Sequence, residues 1–496
     1  MRRSMILFVL LIAAGIGGMC YAHYTLSAAQ DDVSFAVVEA YGDASAANGL
    51  TVSVSAHLGY HLLWDTAFIF GQTQQTHTDF SFHPSQFRRV PELVSAPLSL
   101  SIPLDFNSTT SGGDLLDARE GSVMHYSDFT GAYDMLLDVA SRTQNGGQHT
   151  ETLYLRDYYE YYPISAYISP GPNYYFRQAD MLSISQAPDE ASVKEAFSDF
   201  FRFPVPRGKT ITVTIRKDSV GNVVGIRTER ESEDILYLYA IGLETENGVY
   251  FTLKTEGIDD FSNIPGGFGI YLLPAKAVIG EPDTEYLPTL DYRNIQTVYS
   301  LDDSTTVAEL KSTMSLTLSE DGSCLNLITY EDGGCYLTVI ELDTMTEKQK
   351  IPLFEDISET FLITANYVDG LLYAALSDNR FMLAEKSAGN TYRPVLIGAR
   401  DRFLSFEDFH DWYDPNIAWD GHRLALVTRY MRSFAVNAEV FYFTREDTCG
   451  FTLEIYDESG LMYKGAFESS LDVLTLDSRN SPTCRLIDPG GLSAQW

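Results

Sequence analysis

The feature that most restricts what this chain can fold into is a recurring Asp-Gly pair. Asp321-Gly322, Asp369-Gly370 and Asp420-Gly421 stand 48 and 51 residues apart, each between short apolar, β-prone runs. Asp-Gly between such runs is a strong local hairpin signal, because a tight two-residue turn needs positive φ at its centre and these residues tolerate it. The first unit reads as Met314 to Leu318, Leu325 to Tyr330, a further turn at Asp332-Gly333, Tyr336 to Leu342, and Lys350 to Leu353. The second reads as Phe361 to Thr364, Leu371 to Leu376, Phe381 to Ala384 and Tyr392 to Ile397. The third reads as Asn416 to Trp419, Leu424 to Val427, Phe451 to Tyr456 and Leu461 to Phe467. Each predicts a four-stranded antiparallel meander.

A repeat of about 50 residues with four strands suits one blade per unit. These units, and the run from Tyr336 to Asp343 in particular, resemble degenerate blades of the β-propeller superfamily. The resemblance covers residues 313–467 well and 209–301 poorly, and it lacks a regular Trp-Asp dipeptide. It implies a fold and no activity, since such folds host enzymes, binding modules and scaffolds. The expected class is therefore all-β, with propeller-like four-stranded antiparallel repeats in the C-terminal half behind an N-terminal hydrophobic helix. Tandem β-sandwiches are the alternative.

The rest of the chain divides around that half. Residues 33–38, 50–55 and 62–70 read as strands, and hairpins follow at 211–227 and 236–254. Residues 84–147 carry loop signals and no clear period. One helix is predicted over 189–202, where Asp189 can cap and Val193, Ala196, Phe197, Phe200 and Phe201 recur at helical spacing before Pro204. The expected organisation is a leader at 1–30, a β-rich region with one short helix at 31–205, and the repeat region at 206–496.

Arg2 and Arg3 precede an uncharged run from Met5 to Ala22, the order of parts of an export signal. The run also approaches the length of a membrane span, so it predicts either an anchor through residues 5–22 or secretion after cleavage near Ala22 or Ala29. Met19 before Cys20 departs from a lipidation motif. The positive end stays cytoplasmic and the rest lies outside, with this single contact to the membrane. A formal charge of −34 excludes a nucleic-acid partner, because it repels phosphate. With 45% apolar residues the chain can bury a core.

Beyond Cys20 the cysteines are Cys324, Cys335, Cys449 and Cys484. A turn at residues 331–334 places Cys335 opposite Tyr330, which leaves Cys324 about 20 Å away at roughly 3.3 Å per residue and predicts no bond between the two. A bond between Cys449 and Cys484 is open.

No nucleophile elbow, zinc helix, phosphate loop or paired-cysteine motif occurs, and no cofactor or metal is expected. Two stretches stand out as binding candidates. Tyr158, Tyr159, Tyr161 and Tyr162 would alternate faces on a strand and could present an aromatic row to a sugar or a protein. Glu407, Asp408, Asp411 and Trp412 mix carboxylates with aromatics in a connection between two units. The sequence thus points to a non-enzymatic extracytoplasmic binding or sensing module of the cell envelope, its partner an envelope protein or a glycan. The alternative is a hydrolase of extracellular polysaccharide, with carboxylates from different blades converging on the substrate.

Overall fold

The computed structural model describes residues 2–29, 33–58, 62–71, 75–81, 98–102, 109–110, 133–168, 190–230, 236–245, 247–258, 260–276, 289–301, 316–357, 360–400, 415–432, 448–470 and 492–496. The chain divides into two compact units. Unit 1 comprises residues 1–91, 362–388 and 392–496, and unit 2 comprises 92–361 and 389–391.

Unit 2 contains the first of the predicted repeats. Leu316–Leu318, Cys324–Glu331, Gly334–Glu341 and Thr346–Phe354 pair in that order, all antiparallel. The turn after Glu331 has Asp332 at φ 48° and Gly333 at φ 78°, the left-handed pair that a two-residue hairpin demands. Cys335 lies opposite Tyr330, and Cys324 opposite Glu341 at the far end of the ladder, so both thiols are free. Burial pushes the Cys335 thiol up to about 12.

A second sheet of unit 2 joins Tyr237–Thr245, Gly248–Glu256 and Gly269–Lys276, with Gln296–Ser300 beyond. A third joins Thr109–Thr110, Val223–Arg230, Thr210–Lys217 and Gln148–Tyr154. The predicted helix is Glu190–Phe200. Phe197 and Phe201 are fully buried and contact Phe251 and Tyr271, so the apolar face of the helix is core. The irregular stretch before residue 147 contains a further helix, Tyr133–Arg142, that buries Met135, Leu136 and Val139 in the same core.

Unit 1 contains the other two repeats. Leu362–Val368, Leu371–Leu376, Arg380–Ser387 and Thr391–Ala399 form one sheet in sequence order, with Asp369 at φ 50° and Gly370 at φ 77° in its first turn. Asn416–Trp419, Leu424–Arg432, Thr448–Asp457 and Gly460–Ser469 form the next, and Phe35–Gly42 adds a fifth strand at its outer edge. A reciprocal exchange completes the N-terminal sheet: Leu492–Gln495 pairs with Thr51–Leu58, which continues to Leu62–Ile69 and Gln75–Ser81. Phe35, Phe68, Phe451 and Phe467 interlock beneath these strands. Within each of the three repeats the strands pair in sequence order, the pattern of blades and not of Greek-key sandwiches.

The N-terminal helix is Arg2–Ala29, and Ile6, Phe8, Leu10, Leu11, Ile16 and Met19 are exposed along it. Among the described residues no helix is long and apolar enough to cross a membrane. The side chains of Met5, Leu7, Val9 and Ala22, which belong to the uncharged run, lie outside the described residues.

Candidate functional site

The tyrosine stretch is not a strand. The ladder Gln148–Tyr154 gives way to a short 3-10 turn, Leu155–Asp157, because buried Leu155 ties the chain inward and its carbonyl accepts from the N–H groups of Tyr158 and Tyr159 at 3.1 and 2.9 Å. Alternation of faces therefore does not apply. Tyr158 and Tyr159 pack half-buried against the core of unit 2, and Tyr162 is buried within it. Tyr161 pairs across an isolated bridge with Pro204.

The Tyr158 hydroxyl donates to Asp138 at 2.5 Å. Asp138 also pairs with Arg142, which reaches Glu151 at 2.8 Å. Burial raises the Tyr158 pKa, and the bond to Asp138 adds to it. The segment is thus an aromatic anchor with one hydroxyl tied to a surface ion network. Glu407, Asp408, Asp411 and Trp412 lie outside the described residues.

A different pair of tyrosines forms an open face. Tyr237 and Tyr239 are two apart on Tyr237–Thr245 and so project to the same side, while Leu238 and Ala240 between and beyond them are buried. Their rings are near parallel, 16° between planes, with centroids 6.3 Å apart. That separation is close to the rise of two strand residues. Tyr239 is 41% exposed.

Directly across the ladder, Glu256 faces Tyr237 and Lys254 faces Tyr239, which groups two phenols, an ammonium and a carboxylate on one side of the ladder, with one Glu256 oxygen buried. Burial lowers the Lys254 pKa, and the neighbouring Glu256 opposes that shift. Burial raises the Tyr237 pKa, with Tyr239 contributing. Sequence reading passed over this pair; the alternation Tyr237-Leu238-Tyr239 inside a predicted strand was the available signal.

Unit 1 contains a closed counterpart. Arg400 follows Thr391–Ala399, and Glu454 lies on Thr448–Asp457 in the next sheet; their side chains are 5% and 1% exposed. Arg400 donates through Nε to Glu454 Oε2 at 2.9 Å and through Nη2 to Oε1 at 3.3 Å. The Tyr456 hydroxyl donates to Glu454 Oε2 at 2.9 Å, and Lys464 Nζ is 4.0 Å from Oε1. Burial works against the Arg400 charge, but Glu454 holds it firmly protonated. Burial pushes the Tyr373 hydroxyl up to about 12 and raises that of Tyr456 as well. This is a clasp between two sheets of one unit.

Several carboxylates brace turns. Asp43, Asp218 and Asp260 lie below the usual carboxylate range chiefly because of side-chain bonds from Ser45, Asn222 and Ser262, with nearby backbone N–H groups adding to the effect. Asp321 is lowered by Asn390 and Ser319, and Glu341 by Thr344 and Lys348. Among the described residues, every carboxyl whose pKa departs from its ordinary value is lowered, and no group of three or more His, Cys, Asp or Glu side chains is placed to hold a metal ion.

No family model matches the chain, and no curated protein matches it. Among solved structures it is similar to a protein from Lactobacillus plantarum, at 11% identity over 53% of this chain and 68% of that one, with a TM-score of 0.24. It is similar to the β-propeller domain of Cps50 (Swd1) from Myceliophteria thermophila, at 12% identity over 51% and 80%, TM-score 0.20. It is also similar to a putative TolB from Agrobacterium tumefaciens, at 13% identity over 52% and 79%, TM-score 0.17. The blade-like assignment rests on the strand registers of the chain itself.

Proposed function

We propose that the protein is a non-enzymatic binding or sensing module of the cell envelope, exported so that its β units lie outside. Residues 5–22 anchor it or are removed on secretion. The observation that supports this is the helix Arg2–Ala29, which has two arginines at its start and apolar side chains exposed along its length. Apolar surface left in water costs about 25 cal/mol per Å², so these exposed apolar side chains favour a lipid or translocon environment.

The polysaccharide hydrolase falls behind this reading. A general acid for glycoside cleavage needs a raised carboxyl pKa, and the described carboxyls that shift are held down by turn hydrogen bonds.

Fractionation of cells expressing the full chain with a tag after Trp496 tests the export reading. The tag is expected in the membrane or released fraction, cleavable by protease added outside, and Ile12→Arg is expected to retain it in the cytosol. A soluble cytosolic tag in the unsubstituted chain overturns the reading.

A further inference from the structure

We propose that Cys324 and Lys348 form a modification site in unit 2, where hydrogen peroxide oxidises the cysteine sulfur and the lysine nitrogen then closes on it as a sulfur–nitrogen crosslink. The ground is geometry. Cys324 begins the strand Cys324–Glu331, and Lys348 lies on Thr346–Phe354, with Gly334–Glu341 between them in the sheet. The Lys348 side chain crosses that middle strand beside a bulge at Val339 and Ile340, and Nζ comes 3.7 Å from Cys324 Sγ. Glu341, the residue opposite Cys324, holds the same ammonium through Oε1 at 3.2 Å.

The sulfur has further polar neighbours. Asn390 is buried, with φ 61°, and residues 389–391 belong to unit 2. Its Nδ2 donates to Asp321 at 2.9 and 3.0 Å and to Ser323 Oγ at 2.6 Å, and lies 3.6 Å from Cys324 Sγ. Ser323 Oγ is 3.6 Å from that sulfur as well. A cationic neighbour with N–H donors is the setting in which a cysteine is oxidised selectively. Cys335 is the contrast within the same sheet, since burial pushes its thiol up to about 12. Cys324 has no exposed surface, whereas the Lys348 side chain is 31% exposed, so the amine end of the pair meets water and the oxidant must be small.

The chemistry balances in two steps. The sulfur attacks one peroxide oxygen, the O–O bond breaks as an S–O bond forms, and the thiol proton leaves with the second oxygen as water. Sulfur has then lost two electrons and the peroxide has gained them. Next the Lys348 ammonium gives one proton to Glu341, and its nitrogen attacks the sulfur of the sulfenic acid. The S–N bond forms, the S–O bond breaks, and the departing hydroxide takes a second nitrogen proton to become water. The product staples the second and fourth strands of the sheet across the third.

The test treats the purified full chain with hydrogen peroxide, unfolds it in iodoacetamide, and examines the tryptic peptides by mass spectrometry. The expected product is a joined Cys324–Lys348 peptide pair about 2 Da lighter than its reduced halves together, with Cys335 still fully alkylated. Dithiothreitol should release the pair. Lys348→Arg keeps a cation facing Glu341 and is expected to lose the pair, leaving Cys324 in oxygenated forms. Peroxide added to the urea-unfolded chain should give no pair, because the close contact is gone. Full alkylation of Cys324 after peroxide, equal oxidation of Cys335, oxidation of Cys324 without joining to Lys348, or joining that persists in urea would each overturn the assignment. None of these outcomes depends on whether the chain is exported or binds a partner.

Discussion

In unit 1 the tyrosines at 373 and 456 stand in the core against Arg400 and Glu454, whereas in unit 2 those at 237 and 239 stand on a half-open face across from Lys254 and Glu256. The same residue types meet opposite fates. In the first cluster each Glu454 oxygen takes a bond from Arg400, and Tyr456 adds one more to Oε2, so the Glu454 carboxylate is engaged in joining two sheets. In the second the alternation of one strand lifts the rings to the surface while apolar neighbours hold them. Whether a tyrosine is buried or left half-open here depends on which side of a strand it takes and on whether an ion pair lies beneath it.

Removing the clasp should be the most damaging change. Glu454→Ala leaves the Arg400 guanidinium buried without its carboxylate and is expected to cost about 3–5 kcal/mol, read as a lower urea midpoint; an unchanged midpoint would show that the clasp is idle. Phe451→Ala, in a core position against Phe35, Phe68 and Phe467, should cost a similar 3–5 kcal/mol or so through its cavity. If it costs far less than Glu454→Ala, the ion pair and not the aromatic cluster dominates unit 1.

A smaller loss, about 0.5–2 kcal/mol, is expected for Arg423→Ala. Its guanidinium lies 3.9 Å from the Trp496 ring centroid and also bonds the Ala46 carbonyl. Thermal melting would detect it, and the Trp496 fluorescence should shift with the substitution.

Acid offers a further comparison. Burial works against the charge of Asp420, but the backbone N–H groups of Arg423 and His422 and the Arg423 side chain lower its pKa overall. A folded-state pKa below the unfolded value of about 3.9 means that the stabilisation is complete above that value and fades as pH falls through the folded one. Melting temperature should therefore decline below about pH 4, and Asp420→Asn should flatten that decline. At the small end, Tyr239→Ala should leave stability within about 0.5 kcal/mol; a large stability loss would make the half-open face structural after all.

Local chemistry made much of this fold readable. Asp332-Gly333 and Asp369-Gly370 adopt the left-handed turn their residue types favour, and Leu371–Leu376 and Asn416–Trp419 run between the bounds that alternation predicts. What escaped was long-range. Neither Phe35–Gly42 nor Leu492–Gln495 carries a mark of its partner, since strand pairing depends on topology and not on a local period. Arg400 and Glu454 are single residues 54 positions apart, with no spacing rule to join them. The tyrosine run at 158–162 misled because composition favoured a strand, while buried Leu155 and its two accepted N–H bonds impose a turn.

The exchange of terminal strands in unit 1 has a consequence in time. Ser34 bonds Ser470 across 436 positions, and Thr51 pairs with Gln495, so two of its sheets stay open-edged until residues 460–495 have been synthesised. A newly made N-terminal half must wait with the Thr51–Leu58 edge unpaired, a state that attracts stray strands and closes slowly because its contacts are so distant. A chaperone that holds such edges, or passage across a membrane before folding begins, would shorten the interval in which this protein is prone to aggregate.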